Sequence, residues 1–219
     1  AEKSDTGGKK EVMSEMTRIK ICGLSRPEDI AYVNEAQPDY CGFVIGVPAS
    51  RRNVTVSRLI RLREQLSDQI CPAGVFVNAQ PELVAGLLND GIIDVAQLHG
   101  SEDEAYIARL RDMSDKPLIK AFSVKSGSDL EAAERSGADL VLLDHGIGGT
   151  GASFDWELLR NWSKRPYVLA GGLDAGNIPE AVRRYRPYAV DLSSSVETEG
   201  KKDRDKILAA VAAVRSITI

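Results

Sequence analysis

Short apolar stretches rich in β-branched residues recur along the chain about every 24 residues between Arg18 and Tyr188. They begin near Arg18 (RIKICG), Tyr40 (YCGFVIG), Cys71 (CPAGVFV), Ile93 (IDVAQLHG), Pro117 (PLIKAF), Leu140 (LVLLD), Tyr167 (YVLAGG) and Tyr188 (YAVDLSS). That interval fits one strand, one helix and two short loops. The segments between them carry helix signals. Ser25 is followed by Pro27, Glu28 and Asp29, with proline and acids in the first turn. Thr55 precedes Val56, Leu59, Ile60 and Leu66 at helical spacing, and Ser101 and Glu104 are spaced as a capping box before Ile107 and Leu110. Ser136-Gly137 is expected to stop the fifth helix, and Ile207, Leu208, Val211 and Val214 form an apolar stripe on the last. Strict alternation of strand and helix predicts a parallel sheet. Eight equal units predict that it closes, giving a single-domain α/β (β/α)8 TIM barrel over residues 18–219. An open doubly wound sheet is the fallback. Residues 1–17 are polar and lack this periodicity, so a disordered extension is expected there.

Composition narrows the function class. The 219 residues are 43% hydrophobic and 27% charged, with a net charge of −4 spread along the chain. This offers no basic footprint for nucleic acid and no polybasic membrane anchor. The apolar run from Ile207 to Val214 is too short to span a bilayer. Three scattered cysteines, Cys22, Cys41 and Cys71, make no CxxC pair, which points to a reducing cytoplasm. Expected partners reduce to a small-molecule substrate, with the protein a monomer or homodimer.

In a barrel of this kind the chemistry sits at the C-terminal ends of the strands. Those positions read Cys22-Gly23, Val47 to Asn53, Val77-Asn78, Gln97 to Gly100, Asp144, Gly171-Gly172 and Ser193-Ser194-Ser195. The seventh and eighth strand ends suit a phosphate: two glycines allow close backbone approach, and three serines add hydroxyls and amides. Each could alone be a turn; together they point to phosphate binding. The loop His145 to Gly151 contains GxGxxG, but at the sixth strand rather than opening a nucleotide-binding unit, so a mobile glycine lid is expected instead.

Several stretches, in order, resemble the phosphoribosylanthranilate isomerase family. They are KICG at Lys20 to Gly23, GVFVN at Gly74 to Asn78, QLHG at Gln97 to Gly100, and LLD with GGTGxxFDW from Leu142 to Trp156. LAGGL at Leu169 to Leu173 and VDLSSSVE running to GxKD, Val190 to Asp203, complete the set. The resemblance spans roughly residues 18 to 215. One departure is Ser195, where the family usually has glycine.

The resemblance implies an Amadori rearrangement of N-(5-phosphoribosyl)anthranilate in tryptophan biosynthesis. An acid opens the furanose to an iminium ion, and a base then removes the proton from the adjacent carbon. The iminium nitrogen is itself the electron sink, so no cofactor or metal is expected. Cys22 matches the family's base and Asp144 its acid. Ordinary ionisation would give the opposite roles. The assignment therefore asks that burial keep Asp144 protonated and that a nearby positive charge lower Cys22. Lys20, on the same strand face as Cys22, either assists or pairs with an inward carboxylate such as Asp191. Arg52 is the candidate for the anthranilate carboxylate because a guanidinium fork matches it bidentately, with Arg51 competing. Gln97 and His99 either line the pocket or are structural. Cys41 and Cys71 are expected in packed cores. Two rivals stand beside this assignment. A histidine-pathway sugar isomerase would be expected to use aspartates ending strands one and five, where this chain has Cys22 and Ala121-Phe122. A non-catalytic phosphosugar-binding barrel would not need both Cys22 and Asp144.

Overall fold

The computed structural model describes residues 16–144, 156–162 and 165–217. The expected leader falls mostly outside the described residues, as does the expected glycine lid at His145–Gly151. Eight strands alternate with helices: β1 (Arg18–Cys22), β2 (Tyr40–Ile45), β3 (Cys71–Phe76), β4 (Val95–Leu98), β5 (Leu118–Ser123), β6 (Leu140–Asp144), β7 (Tyr167–Ala170) and β8 (Ala189–Leu192). The helices are α1 (Pro27–Ala36), α2 (Val56–Arg63), α3 (Pro81–Asn89), α4 (Glu104–Arg111), α5 (Gly127–Glu134), α6 (Ile178–Tyr185) and α7 (Arg204–Arg215). Each strand pairs in parallel with the next, and β1 pairs with both β2 and β8, so the sheet closes. None of the described helices is long and apolar enough to cross a membrane.

The period of two along each strand builds two cores. Ile19, Ile21, Phe43, Ile45 and Phe76 face outward and are buried under the helices. Each such side chain, fully buried, contributes roughly 1.5–3 kcal/mol. Ala73, Val95, Ile119, Leu142, Val168 and Ala189 face inward and fill the barrel. Cys41 lies in the outer core, and Cys71 packs against the inner one, as expected. Burial raises both thiols, Cys71 to about 12.

Local details depart from expectation for identifiable reasons. Strand β4 starts at Val95 because Ile92 and Ile93 donate to Leu87 O, closing the turn after α3. Strand β5 starts after Pro117, which has no N–H to give a ladder. Asp103, not Ser101, caps α4 by accepting from Tyr106 N. Glu104, expected to complete that capping box, instead accepts from Gly137 N at 2.8 Å. The fifth helix ends at Glu134, two residues before Ser136. Between β6 and β7 the described segment is a 3-10 helix, Trp156–Asn161, rather than an α-helix. Two further pieces matter for the site. A two-residue strand, Asn53–Val54, pairs alongside the end of β2, and a hairpin joins Glu197–Thr198 to Lys201–Lys202 after β8.

Candidate active site

Lys20 and Cys22 lie two residues apart on β1, on its inward face, and Lys20 is Cα partner to Asp191 on β8. The ammonium meets the carboxylate at 2.9 Å, with both side chains buried. Of the two roles open to Lys20, pairing with Asp191 is the one this geometry builds. Burial opposes the Lys20 charge, but Asp191 outweighs it and holds the ammonium above the ordinary lysine range. Strand β2 makes room for this group with Gly42: a Cβ there would stand 2.7 Å from Cys22 Sγ and 3.1 Å from Lys20 Nζ.

Cys22 is 8% exposed, and the expected lowering of its thiol does not occur. Burial raises it, and Lys20 acts in the opposite direction without prevailing. Burial is the larger cause, and Asp191 offsets part of the Lys20 charge, so Cys22 faces an ion pair rather than a lone cation.

Two other strands contribute polar groups to the same mouth. Gln97, 1% exposed on β4, shares a hydrogen bond of 3.0 Å between its Nε2 and His99 Nδ1. Gln97 Oε1 is buried without a hydrogen-bond partner among the described residues. Burial lowers His99, against the pull of Asp144, so the ring is neutral near pH 7. Asp144 closes β6, where its backbone oxygen accepts from Val124 N at 2.8 Å. Around the ring it lies three strands from Cys22, by way of β8 and β7.

The remaining candidates sit on loops. Gly171 and Gly172 follow β7 with φ of 85° and 68°, in the left-handed region that favours glycine. Ser194 and Ser195 open a short 3-10 turn directly after β8. Ser193 Oγ donates to Cys22 O at 3.1 Å, tying the eighth loop to the first strand. Arg52 is partly buried and places Nε and Nη2 on Glu197 at 2.6 and 2.9 Å. Arg51, whose side chain is 58% exposed, touches Glu197 by one bond of 2.6 Å. The structure therefore gathers Cys22, Gln97, His99, Asp144, Gly171, Gly172, Ser193–Ser195 and Arg52 on the ring's C-terminal rim, beside the Lys20–Asp191 pair.

Known proteins resemble this chain along most of its length. The family described as N-(5'phosphoribosyl)anthranilate (PRA) isomerase matches residues 19–213. The chain belongs to the PRA isomerase family. An N-(5'-phosphoribosyl)anthranilate isomerase of Endomicrobium trichonymphae is 45% identical, covering 92% of this chain and all of that one. The corresponding enzyme of Thermoanaerobacter sp. (strain X514) is 40% identical over the same shares. Among solved structures, phosphoribosyl anthranilate isomerase from Thermotoga maritima superposes with a TM-score of 0.82 at 32% identity, again over 92% and 100% of the two chains. One phosphoribosyl anthranilate isomerase was solved with reduced 1-(o-carboxyphenylamino)-1-deoxyribulose 5-phosphate, and matches with a TM-score of 0.79.

The departure from the PRA isomerase pattern at Ser195 has a structural answer. Ser195 is absent from the positive-φ positions, so a serine meets no backbone strain there. Sequence reasoning missed three groups. Gly42 carries its signal only as a glycine inside a strand, and Glu197 and Lys202 were quoted in motifs without being given a role.

Proposed function

We propose that this chain converts N-(5-phosphoribosyl)anthranilate to 1-(2-carboxyphenylamino)-1-deoxyribulose 5-phosphate by general acid–base catalysis. Asp144 gives its proton to the furanose ring oxygen. The ring C–O bond breaks as the anthranilate nitrogen lone pair forms the iminium. Cys22 then takes the proton from the neighbouring carbon, and the electron pair of that C–H bond neutralises the iminium. The resulting enol returns to a ketone, completing an isomerisation with no net gain or loss of electrons. No cofactor enters any step. The observation that carries this assignment is the placement of Cys22 and Asp144 at strand ends on the same side of one closed barrel, with Arg52 close over Gly23.

In this proposal Gly171, Gly172 and Ser193–Ser195 hold the substrate phosphate through backbone N–H groups and hydroxyls. Gln97 and His99 line the pocket, the neutral imidazole offering one further N–H. Arg52 takes the anthranilate carboxylate in preference to Arg51, its greater burial and two-point anchor favouring a fixed geometry. Free thiols at Cys22, Cys41 and Cys71 fit a reducing cytoplasm.

Turnover is followed by the loss of anthranilate-type fluorescence. Cys22→Ser and Asp144→Asn should each lower kcat by about 10² to 10⁴ while KM stays within a few-fold, as expected for proton-transfer groups. Near wild-type turnover in either variant would remove the acid–base assignment and favour a binding protein.

A further inference from the structure

We infer that Glu197 is a positioning residue for substrate recognition: it clamps one edge of the Arg52 guanidinium so that the opposite edge faces the substrate carboxylate. This deepens the proposed function and rests on Arg52 being the carboxylate ligand.

A guanidinium has two edges that can each offer a pair of parallel N–H groups, one through Nε with one Nη and one through both Nη atoms. Glu197 occupies the first. Its Oε1 accepts from Arg52 Nε at 2.6 Å and its Oε2 from Arg52 Nη2 at 2.9 Å. One N–H of Nη2 and both of Nη1 lie outside that contact, and the Nη2 N–H with the parallel one of Nη1 forms the second fork. A carboxylate of the substrate can take that fork without displacing Glu197.

Three features make Glu197 a clamp rather than a passing surface ion pair. Its side chain is 4% exposed. It accepts four bonds: the two from Arg52, one from Lys202 Nζ at 2.8 Å and one from Arg51 Nη2 at 2.6 Å. Lys202 also donates to Ser193 O at 2.9 Å, so the clamp is braced against the strand end proposed to hold phosphate. The stem of Arg52 is confined as well. It lies over Gly23, whose φ is 86°, and a Cβ at that position would fall 2.3 Å from Arg52 Cδ.

The charge balance resolves what otherwise looks like a conflict. An acid close to the expected site of an anionic substrate should repel it. Three cations gather on this one carboxylate, leaving the cluster with a positive excess. Burial opposes the ionised form of Glu197, but Arg52 and Lys202 outweigh it and hold the group at about 2, so it accepts all four bonds throughout the neutral range.

The test compares two ligands on the whole protein: the reduced product analogue with its benzoate carboxylate, and the same compound lacking it. Glu197→Gln keeps the side-chain length but loses charge and one acceptor. It should weaken the carboxylate-bearing ligand about tenfold, corresponding to 1.4 kcal/mol, and the descarboxy ligand less than threefold. Thermal unfolding reports whether the variant is folded. If it is not, Glu197→Asp keeps the charge, draws the acceptor back by one methylene and should show the same selective loss. Equal weakening of both ligands would mean that Glu197 only holds the loop, and tighter binding that its charge opposes the substrate; either overturns the inference. Arg52→Ala separates the layers. If it shows no carboxylate selectivity, the assignment of Arg52 fails first; if it does and the Glu197 variants do not, only the inference on Glu197 fails.

Discussion

A buried thiol is ionised less often, and that decides how its reactivity depends on pH. Burial places Cys22 above its ordinary value, so the thiol form dominates near neutrality and the basic form grows about tenfold per pH unit below its pKa. Because only the thiolate alkylates, the rate at which iodoacetamide modifies Cys22 should rise steadily from pH 6 toward pH 9, in a reading that does not involve the acid. A flat alkylation profile over that range would show that the thiol is not raised by its burial. The position of Cys22 was legible in the sequence as the end of a strand in KICG, but the direction of its shift was not. Asp191, 171 positions along the chain, was already a candidate partner for Lys20; what the sequence could not show was how deeply the thiol itself is buried, and that burial outweighs the Lys20 charge.

At the scale of the element, the loops after β7 and β8 carry the binding prediction. Gly171 and Gly172 both adopt positive φ, and Asn177 Nδ2 donates to Gly172 O at 2.7 Å, fixing the turn that leads into α6. Inorganic phosphate should therefore compete with substrate, and a sulfate or phosphate in crystals should occupy this cleft. Gly172→Ala, which forces a Cβ into the left-handed region at a cost of roughly 1–2 kcal/mol, should weaken that competition several-fold. Phosphate found elsewhere only, with the cleft dry, would refute it. These elements were visible in advance because apolar runs and glycine pairs are local signals. The Asn53–Val54 strand and the Glu197 hairpin were not, since two-residue strands exist only through their partners and leave no periodicity. Thus Arg52 was found and the residue that orients it was missed. The cap at Asp103 was overlooked for a related reason: Ser101 satisfied a spacing rule, while Ser101 N is committed to Asn78 Oδ1 across a loop.

For the molecule as a whole, the eightfold repeat made the barrel predictable, and the Lys20–Asp191 pair spans the seam between its first and last strands. A buried pair is weak evidence of net stability, but breaking it from one side leaves a stranded charge worth about 3–5 kcal/mol. Lys20→Met and Asp191→Leu should each destabilise the fold by that order in chemical denaturation, and the double variant by clearly less than their sum. Additive losses would show that the two groups do not interact. The seam they occupy also determines how the protein behaves when incomplete. A closed ring has no free edge along its eight strands, so the barrel itself offers no unpaired ladder to neighbouring chains. Without Ala189–Leu192, β1 and β7 would each present an unpaired ladder, flanked by the apolar faces of Ile19 and Ile21. A fragment lacking only the eighth strand would thus be a template for self-association, and the last short strand, besides carrying part of the site, is what keeps the other seven from seeking one another in different molecules.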